Sequence, residues 1–248
     1  MRGISFVCRR FYAFKAENPN AIKKLILPIG QQEKPSIYEN TGLETRTLQE
    51  RKKDFLDLEK NKQRRIELKK EFAKSSFQAI YNFRDTGGKF FTSPSTGWSS
   101  SSALYMPNFR GLTLDKKDVG SLEFVGSKPV IMRIFSSTIS FKQITTYDSA
   151  IDFHKVNLLD MNFPTSWFNY KLVKWFSGRI RKCLLGPFHT YMICRKGVTP
   201  QLREMIWADN PLGAYLYVVD RDGRIRWAAT GPATENDLAT LKQVINSL

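Results

Sequence analysis

The chain has 248 residues, 42% of them hydrophobic and 13% aromatic, which is enough for one core of about 130–150 residues with N-terminal extensions. Its 39 Lys and Arg against 23 Asp and Glu give a net charge of +16, which favours anionic partners such as nucleic acid, an anionic bilayer or an acidic protein surface. Three cysteines argue against a secreted disulfide scaffold, and no strongly apolar window of about 18 residues predicts a membrane span.

The start of the chain is rich in arginine and poor in acid. Arg2, Arg9 and Arg10 are interleaved with apolar residues, and the first acidic residue is Glu17. This pattern is typical of a mitochondrial transit peptide, and a secretory signal would have a longer apolar centre. The sequence predicts cleavage after Tyr12.

Two segments of contrasting composition follow. Residues 18–43 contain three prolines and two glycines and are predicted to form an extended, weakly ordered tether. Residues 44–74 contain 11 basic and 7 acidic residues, lack Pro and Gly, and show only a sparse apolar stripe. This composition predicts a long solvated helix, because the stripe is too thin for a coiled-coil seam, and the alternative is a partner-binding arm.

A loop rich in Gly, Ser and aromatic residues comes next. Gly87-Gly88-Lys89 suggests a phosphate-binding loop, but that motif requires Ser or Thr after the lysine, and Phe90 stands there. We therefore interpret residues 85–118 as a structured loop region that precedes the main domain.

The core is predicted to begin with a buried central strand at Lys128–Phe135. A second strand is expected at Phe153–Leu158, where His154 is interpreted as a core or surface residue rather than a catalytic one. A third strand is expected at His189–Cys194 and a short helix at Thr199–Asp209.

Residues 167–182 predict one amphipathic helix that starts after Pro164-Thr165-Ser166. Its apolar side holds Phe168, Leu172, Trp175, Phe176 and Ile180, and its opposite side holds Lys171, Lys174, Arg181 and Lys182, with Trp167 and Tyr170 at the border. The helix is either a crossover helix packed on the sheet or one whose basic, aromatic-edged face contacts an anionic membrane.

Metal and cofactor sites are not predicted. Cys183, His189 and Cys194 lie close together in the sequence, but their spacings fit no zinc pattern and a fourth ligand is not assigned.

The C-terminal stretch, residues 214–248, predicts strand, turn, strand and helix. Gly223 supplies the positive φ of the hairpin turn, and Ile225 and Trp227 are expected on one face of the returning strand. Thr234 and Asp237 predict an N-cap and a capping box for the last helix.

This C-terminal pattern resembles the end of the thioredoxin-like fold. In redox members of that superfamily a Cys-x-x-Cys motif follows the first core strand at a helix N-terminus, where a thiol pKa is lowered. Ser136-Ser137-Thr138-Ile139 stand at that place here. The resemblance therefore implies an α/β fold, a thioredoxin-like central sheet flanked by helices, without implying thiol chemistry.

The blocks GGKFF at 87–91, Tyr105–Leu114 and the 215–232 hairpin, together with the transit peptide, resemble the mitochondrial ATP synthase assembly factors that bind Fo subunit a. The resemblance covers about residues 75–248. It implies a non-enzymatic chaperone that brings new subunit a to the subunit c ring, peripherally at the matrix side of the inner membrane. We assign partner contact to the region 88–114, namely to Gly88, Lys89, Trp98, Tyr105, Pro107, Asn108 and Gly111.

The expected organisation is a transit peptide (1–12), a tether (13–43), a charged helical segment (44–84), the loop region (85–118) and the thioredoxin-like domain (119–248). Two alternative functions remain open: a thioredoxin- or peroxiredoxin-like oxidoreductase, and a basic mitochondrial RNA- or ribosome-binding protein. No Cys follows the first core strand, and no recognisable RNA-binding motif accompanies the charge, so we expect no cofactor and no nucleic acid.

Overall fold

A computed structural model describes residues 22–42, 76–182, 184 and 186–248, together with scattered residues between 49 and 66. The predicted transit peptide and Cys183 lie outside the described residues. In the charged helix predicted at 44–74, the described residues between 49 and 66 are all exposed, including the apolar Leu56, Leu58 and Ile66. All of them except Asp57 are helical.

The described residues form two sheets. Strands β1 (Lys23–Lys24) and β2 (Phe91–Thr92) pair in parallel. The main sheet contains β3 (Arg110–Thr113), β4 (Asp118–Gly120), β5 (Val130–Phe135), β6 (Asn157–Asn162), β7 (His189–Ile193), β8 (Tyr215–Val219) and β9 (Ile225–Thr230). Their spatial order is β4-β3-β7-β6-β5-β8-β9. Strands β5, β6 and β7 are mutually parallel, whereas β8 runs antiparallel to β5 and β9 antiparallel to β8.

Helices connect and cover these strands. The α-helices of the described residues include α1 (Ser76–Thr86), α2 (Thr138–Ile144), α3 (Trp167–Trp175), α4 (Ser177–Lys182), α5 (Pro200–Met205) and α6 (Glu235–Asn246). Short 3-10 helices span Ser121–Phe124 and Thr145–Ala150.

The predicted thioredoxin-like fold class is confirmed by this topology. Helix α2 joins the parallel pair β5 and β6, and the antiparallel hairpin of β8 and β9 leads directly into α6. Within the sheet these four strands have the order β6-β5-β8-β9. All six residues of β5 are buried, as predicted for the central strand.

The sheet has a buried cluster on each face. On the arm face, side chains such as Met132 and Ile134 contact the N-terminal arm (residues 22–42), the loop region and α5. On the helical face, side chains such as Ile131 and Phe135 contact the covering helices α2 and α6, with residues of α3 and α4 packed against their edge.

The prediction of a weakly ordered tether is wrong for residues 22–42. This N-terminal arm is extended, but Leu25 and Ile29 are buried on the arm face, and Gln31 forms a β-bridge with Tyr105. Asn40 is also buried and donates a hydrogen bond from Nδ2 to the carbonyl of Lys196 (3.0 Å). The prolines and glycines prevent a helix here, yet the apolar residues between them cover a sheet face that would otherwise contact water.

The strand predicted at Phe153–Leu158 is displaced, because β6 begins only at Asn157. Residues 153–155 form a turn, in which His154 is exposed and Phe153 stacks on Phe188 with ring centroids 5.1 Å apart. The sequence interpretation ended the strand before Asp160, a charged residue that is fully buried in β6.

The C-terminal hairpin and helix are confirmed, including a φ of +88° at Gly223. The prediction that Ile225 and Trp227 lie on the same face of the strand is wrong. Val218 pairs with Trp227 whereas Val219 pairs with Ile225, so a β-bulge interrupts the alternation at this point. As a result Ile225 packs on the arm face and Trp227 on the helical face.

Candidate functional site

The position that holds the redox motif in thiol enzymes is occupied here by hydroxyl groups bound within the fold. Ser136 donates from Oγ to the carbonyl of Pro211 (2.5 Å), and Ser137 caps α2 by accepting a hydrogen bond from the Ser140 backbone N–H (3.2 Å). Among the described peptide bonds none is cis, so the bond before Pro211 is trans. These contacts stabilise the start of the helix and leave no activated nucleophile at this position.

The described cysteine does not compensate for the missing motif. Cys194 is buried, and its burial raises the pKa of the thiol far above the usual range. A protonated, enclosed thiol is a poor nucleophile. A Cβ at the neighbouring Gly111 would lie only 2.8 Å from Cys194 Sγ, so Gly111 is required for close packing.

The predicted partner residues Gly88 and Lys89 anchor the loop region to α6. Lys89 Nζ lies 2.5 Å from Asp237 Oδ2, and Asp237 also accepts hydrogen bonds from the backbone N–H and the hydroxyl of Thr234, the N-cap of α6. Burial alone would raise the pKa of Asp237, but the hydrogen bonds from Lys89 and Thr234 hold it below its usual value. Gly88 is buried with a φ of +88°, and its carbonyl accepts a hydrogen bond from the hydroxyl of Thr230 (3.3 Å).

Asn108 and Pro107 are also buried, as are most atoms of Trp98. Asn108 donates from Nδ2 to the carbonyls of residues 36, 37 and 39 and accepts at Oδ1 from the backbone N–H of Leu122, so it attaches the N-terminal arm to the domain. Tyr105 is half-buried, and the Arg224 guanidinium lies 4.7 Å from its ring centre. These residues stabilise the fold, and their contact with a partner stays a prediction.

The helix predicted at 167–182 is divided at Phe176, where α3 ends and α4 begins. The side that packs toward the core carries Tyr170, Val173 and Ile180. The prediction that Phe168, Trp175 and Phe176 lie on the buried side is therefore wrong. Their side chains are 64%, 79% and 41% exposed, and the border residue Trp167 is 57% exposed.

Basic side chains lie among these exposed rings. Lys171 Nζ is 5.0 Å from the centre of the Trp167 ring, and Arg179 lies 5.4 Å from the centre of the Phe176 ring. Lys174 and Lys182 are exposed. We call this surface the α3–α4 surface, and define it by Trp167, Phe168, Lys171, Lys174, Trp175, Phe176, Arg179 and Lys182.

Arg181, predicted to face the membrane, makes contacts with the fold. It lies 2.7 Å from Asp115 Oδ1 and donates to the carbonyl of Leu114 at 2.9 Å. Its charge is thus paired, and its contacts link α4 to the turn between β3 and β4. We leave Arg181 out of the α3–α4 surface for this reason.

A buried ionic cluster was missed in the sequence interpretation. Asp160 in β6 accepts two hydrogen bonds from Arg133 in β5, at 2.5 and 2.8 Å, and lies 2.9 Å from His189 Nε2 in β7. Arg133 also donates to Asp148 at 2.6 Å. Burial would raise the pKa of Asp160, but the adjacent Arg133 and His189 hold it below its usual value. The charged residues within two otherwise apolar strands were the signal in the sequence.

This cluster also explains His189, which had suggested a metal ligand. Its ring nitrogen contacts the Asp160 carboxylate. In the described part of the chain, no three His, Cys, Asp or Glu residues are grouped so that they could hold a metal ion. None of the helices described is both long and apolar enough to cross a membrane.

Comparison with known proteins gives one family. The family model described as "ATP10 protein" matches residues 11–248. The chain is 30% identical over 241 residues to the "Mitochondrial ATPase complex subunit ATP10" of Candida glabrata, covering 92% of this chain and 86% of that relative. It is 29% identical over 248 residues to the protein of the same name from Saccharomyces cerevisiae, covering 89% and 85%.

Solved structures of low sequence identity were also found. The thioredoxin domain of a thiol-disulfide oxidoreductase from Bacteroides vulgatus is 14% identical, with a TM-score of 0.39, and the match covers 57% of this chain and 96% of that domain.

Proposed function

The chain belongs to the ATP10 protein family, and on this premise we propose that it is a mitochondrial assembly factor for ATP synthase that acts by binding. The observation that carries the proposal is the family match over residues 11–248, which includes both the loop region and the thioredoxin-like domain. The curated relatives are named as subunits of the mitochondrial ATPase complex.

We further propose that the client is newly made Fo subunit a, and that the protein promotes its incorporation beside the subunit c ring. It would act as a peripheral protein at the matrix side of the inner membrane. The blocks at 87–91 and 105–114, on which the resemblance to subunit a-binding factors rests, support this client. The structure adds that these blocks fix the N-terminal arm and α6 to the sheet.

The geometry favours a binding role over thiol chemistry. Ser136 and Ser137 occupy the position of the redox motif and are hydrogen-bonded within the fold, and Cys194 is buried. An oxidoreductase needs an accessible thiol of lowered pKa, and burial has raised the pKa of the Cys194 thiol instead.

The proposal is tested by removing the protein from its own mitochondria and separating the ATP synthase on native gels. We expect a loss of complexes that contain subunit a, restored by the full chain and equally by a chain with Cys194→Ser. Normal levels of complete ATP synthase without the protein would overturn the proposal. Rescue by wild type but not by a stably folded Cys194→Ser chain would favour the oxidoreductase.

A further inference from the structure

We propose that the α3–α4 surface docks on an anionic lipid bilayer, with its aromatic rings at the lipid interface and its lysines among the headgroups. This docking rests on the proposed function only in that the bilayer is taken to be the inner mitochondrial membrane. Both the exposed aromatic residues and the basic residues of the α3–α4 surface would contact the bilayer.

The exposed aromatic residues occupy one continuous area. At about 100° per residue, Trp167, Phe168, Lys171, Lys174 and Trp175 fall within an arc of about 120° on α3. Trp175 stacks on Phe176, with ring centroids 5.6 Å apart, which continues the area onto α4. Single exposed apolar residues are common, but four adjacent rings exposed by 41–79% mark an interaction surface.

The residue types match a bilayer interface. Trp is enriched at the level of the lipid headgroups, where one part of its ring system is in an apolar environment and its N–H can bind water. Lys171 and Lys174 lie within the same arc, and their long side chains can reach phosphate groups while the rings insert. A helix with this combination lies in the plane of the interface.

Charge complementarity selects an anionic occupant. No Asp or Glu occurs in the sequence between Asp160 and Glu204, whereas eight Lys and Arg do. Each lysine or arginine near an anionic leaflet adds attraction that extends over about one Debye length. An acidic neighbour would weaken that attraction. The segment itself contains none, and Asp115, which contacts α4, is paired with Arg181 outside the α3–α4 surface.

The shape of the surface favours a bilayer over nucleic acid. Proteins that stack single-stranded bases hold the strand in a groove. The side chains of the α3–α4 surface are exposed and line neither of two clefts of the described residues, which lie along α6 beside Lys242 and Gln243. Exposed rings along one face of a helix can all reach a flat layer of headgroups at once.

Flotation of the purified full chain with phosphatidylcholine vesicles, with or without cardiolipin, tests the charges. We expect binding only with cardiolipin and a loss of about tenfold or more in K171E/K174E. The control K24E/K34E changes the net charge by the same amount on the N-terminal arm, at the opposite face, and should bind like wild type. Each variant retains the same arginine-rich first segment, so a difference between them reports the α3–α4 surface.

The aromatic contribution is tested by W167A/F168A/W175A, for which we expect a loss of about tenfold. Its control, I26A/L27A/Y38A, removes three comparably exposed apolar side chains from the N-terminal arm. Thermal unfolding of each variant should match wild type, because the substituted side chains are exposed.

Quenching of tryptophan fluorescence by brominated acyl chains locates the rings directly. Trp98 and Trp227 are buried, and Trp207 is half-buried on the arm face against Phe91, so quenching should come from Trp167 and Trp175. W167F/W175F should still bind vesicles but lose most of the quenching. The inference is overturned if both α3–α4 variants bind vesicles like their controls, or if quenching persists in W167F/W175F. It is also overturned if the variants bind RNA less well than wild type while their vesicle binding is unchanged. These vesicle measurements do not involve ATP synthase, so their failure is separable from a failure of the proposed assembly function.

Discussion

Lys89 was predicted to contact the partner, whereas its ion pair with Asp237 predicts a role in stability. Lys89→Met removes the cation beside a carboxylate whose side chain is only 7% exposed. Hydrogen bonds to charged groups contribute about 1.5–3 kcal/mol, and breaking a buried pair costs up to about 3–5 kcal/mol. Because Asp237 retains its hydrogen bonds from Thr234, we expect the free energy of unfolding to fall by about 2–3 kcal/mol.

A double-mutant cycle separates the pair from other effects. In K89M/D237N the uncompensated charge is absent, so this variant should be more stable than K89M alone. The assay is urea unfolding followed by tryptophan fluorescence. The pKa of Asp237 in the folded protein is lowered, so its stabilising contribution is complete above its ordinary pKa of 3.8 and is lost as pH falls through the lowered value. The difference in free energy of unfolding between wild type and K89M should become smaller over that pH range. The free energy of unfolding of D237N should lack this pH dependence.

An assay of ATP synthase assembly then distinguishes a stabilising role of Lys89 from a role in binding the partner. If Lys89 acts through Asp237, K89M/D237N should support ATP synthase assembly better than K89M, in parallel with its stability. The reasoning is refuted if K89M unfolds at the same urea concentration as wild type, or if the stabler double variant supports no better assembly than K89M. Either result would point to Lys89 as a contact with a partner.

Three further outcomes follow from buried groups. Trp227→Ala should cost about 3–5 kcal/mol, measured by thermal unfolding, because the ring is fully buried and its Nε1 donates to the carbonyl of Pro94 (2.9 Å); normal stability would contradict this packing. Asp160→Ala should cost about 3–5 kcal/mol by leaving the buried Arg133 guanidinium undercompensated, and an unchanged denaturation midpoint would count against it. The Cys194 thiol should react with iodoacetamide only on unfolding, whereas rapid labelling of the native chain would show it to be accessible.

The parts of the fold that were predicted correctly are specified by neighbouring residues. The turn at Gly223 and the cap at Thr234 depend on local backbone chemistry, and the all-buried strand β5 is a continuous apolar run. The side chain of Asp237 completes the predicted capping box, while its second partner, Lys89, is 148 residues away.

The errors have the opposite origin, since they depend on contacts between distant segments. Strand β6 contains Asp160, whose charge is balanced by Arg133 on the neighbouring strand, and this pairing is not visible in the local sequence. The opposite faces of Ile225 and Trp227 result from a bulge that the alternation of the sequence does not show.

The candidate surface was only partly predictable for the same reason. The lysines at 171 and 174 were recognised as exposed and basic, but helical periodicity alone does not say which of two mixed faces packs on the sheet. Tyr170 and Val173 proved to be on the packed side, which leaves Trp175 exposed.

Crosslinking during organellar protein synthesis tests the central claim most directly. A photoreactive amino acid placed at the exposed Trp175, or at the half-buried Tyr105, in the full chain would be activated while mitochondrial translation products are radiolabelled. The account predicts an adduct with newly made subunit a that appears early and declines as the complete ATP synthase forms. Adducts confined to ribosomal components or RNA, or an adduct with subunit a that is independent of new synthesis, would contradict it.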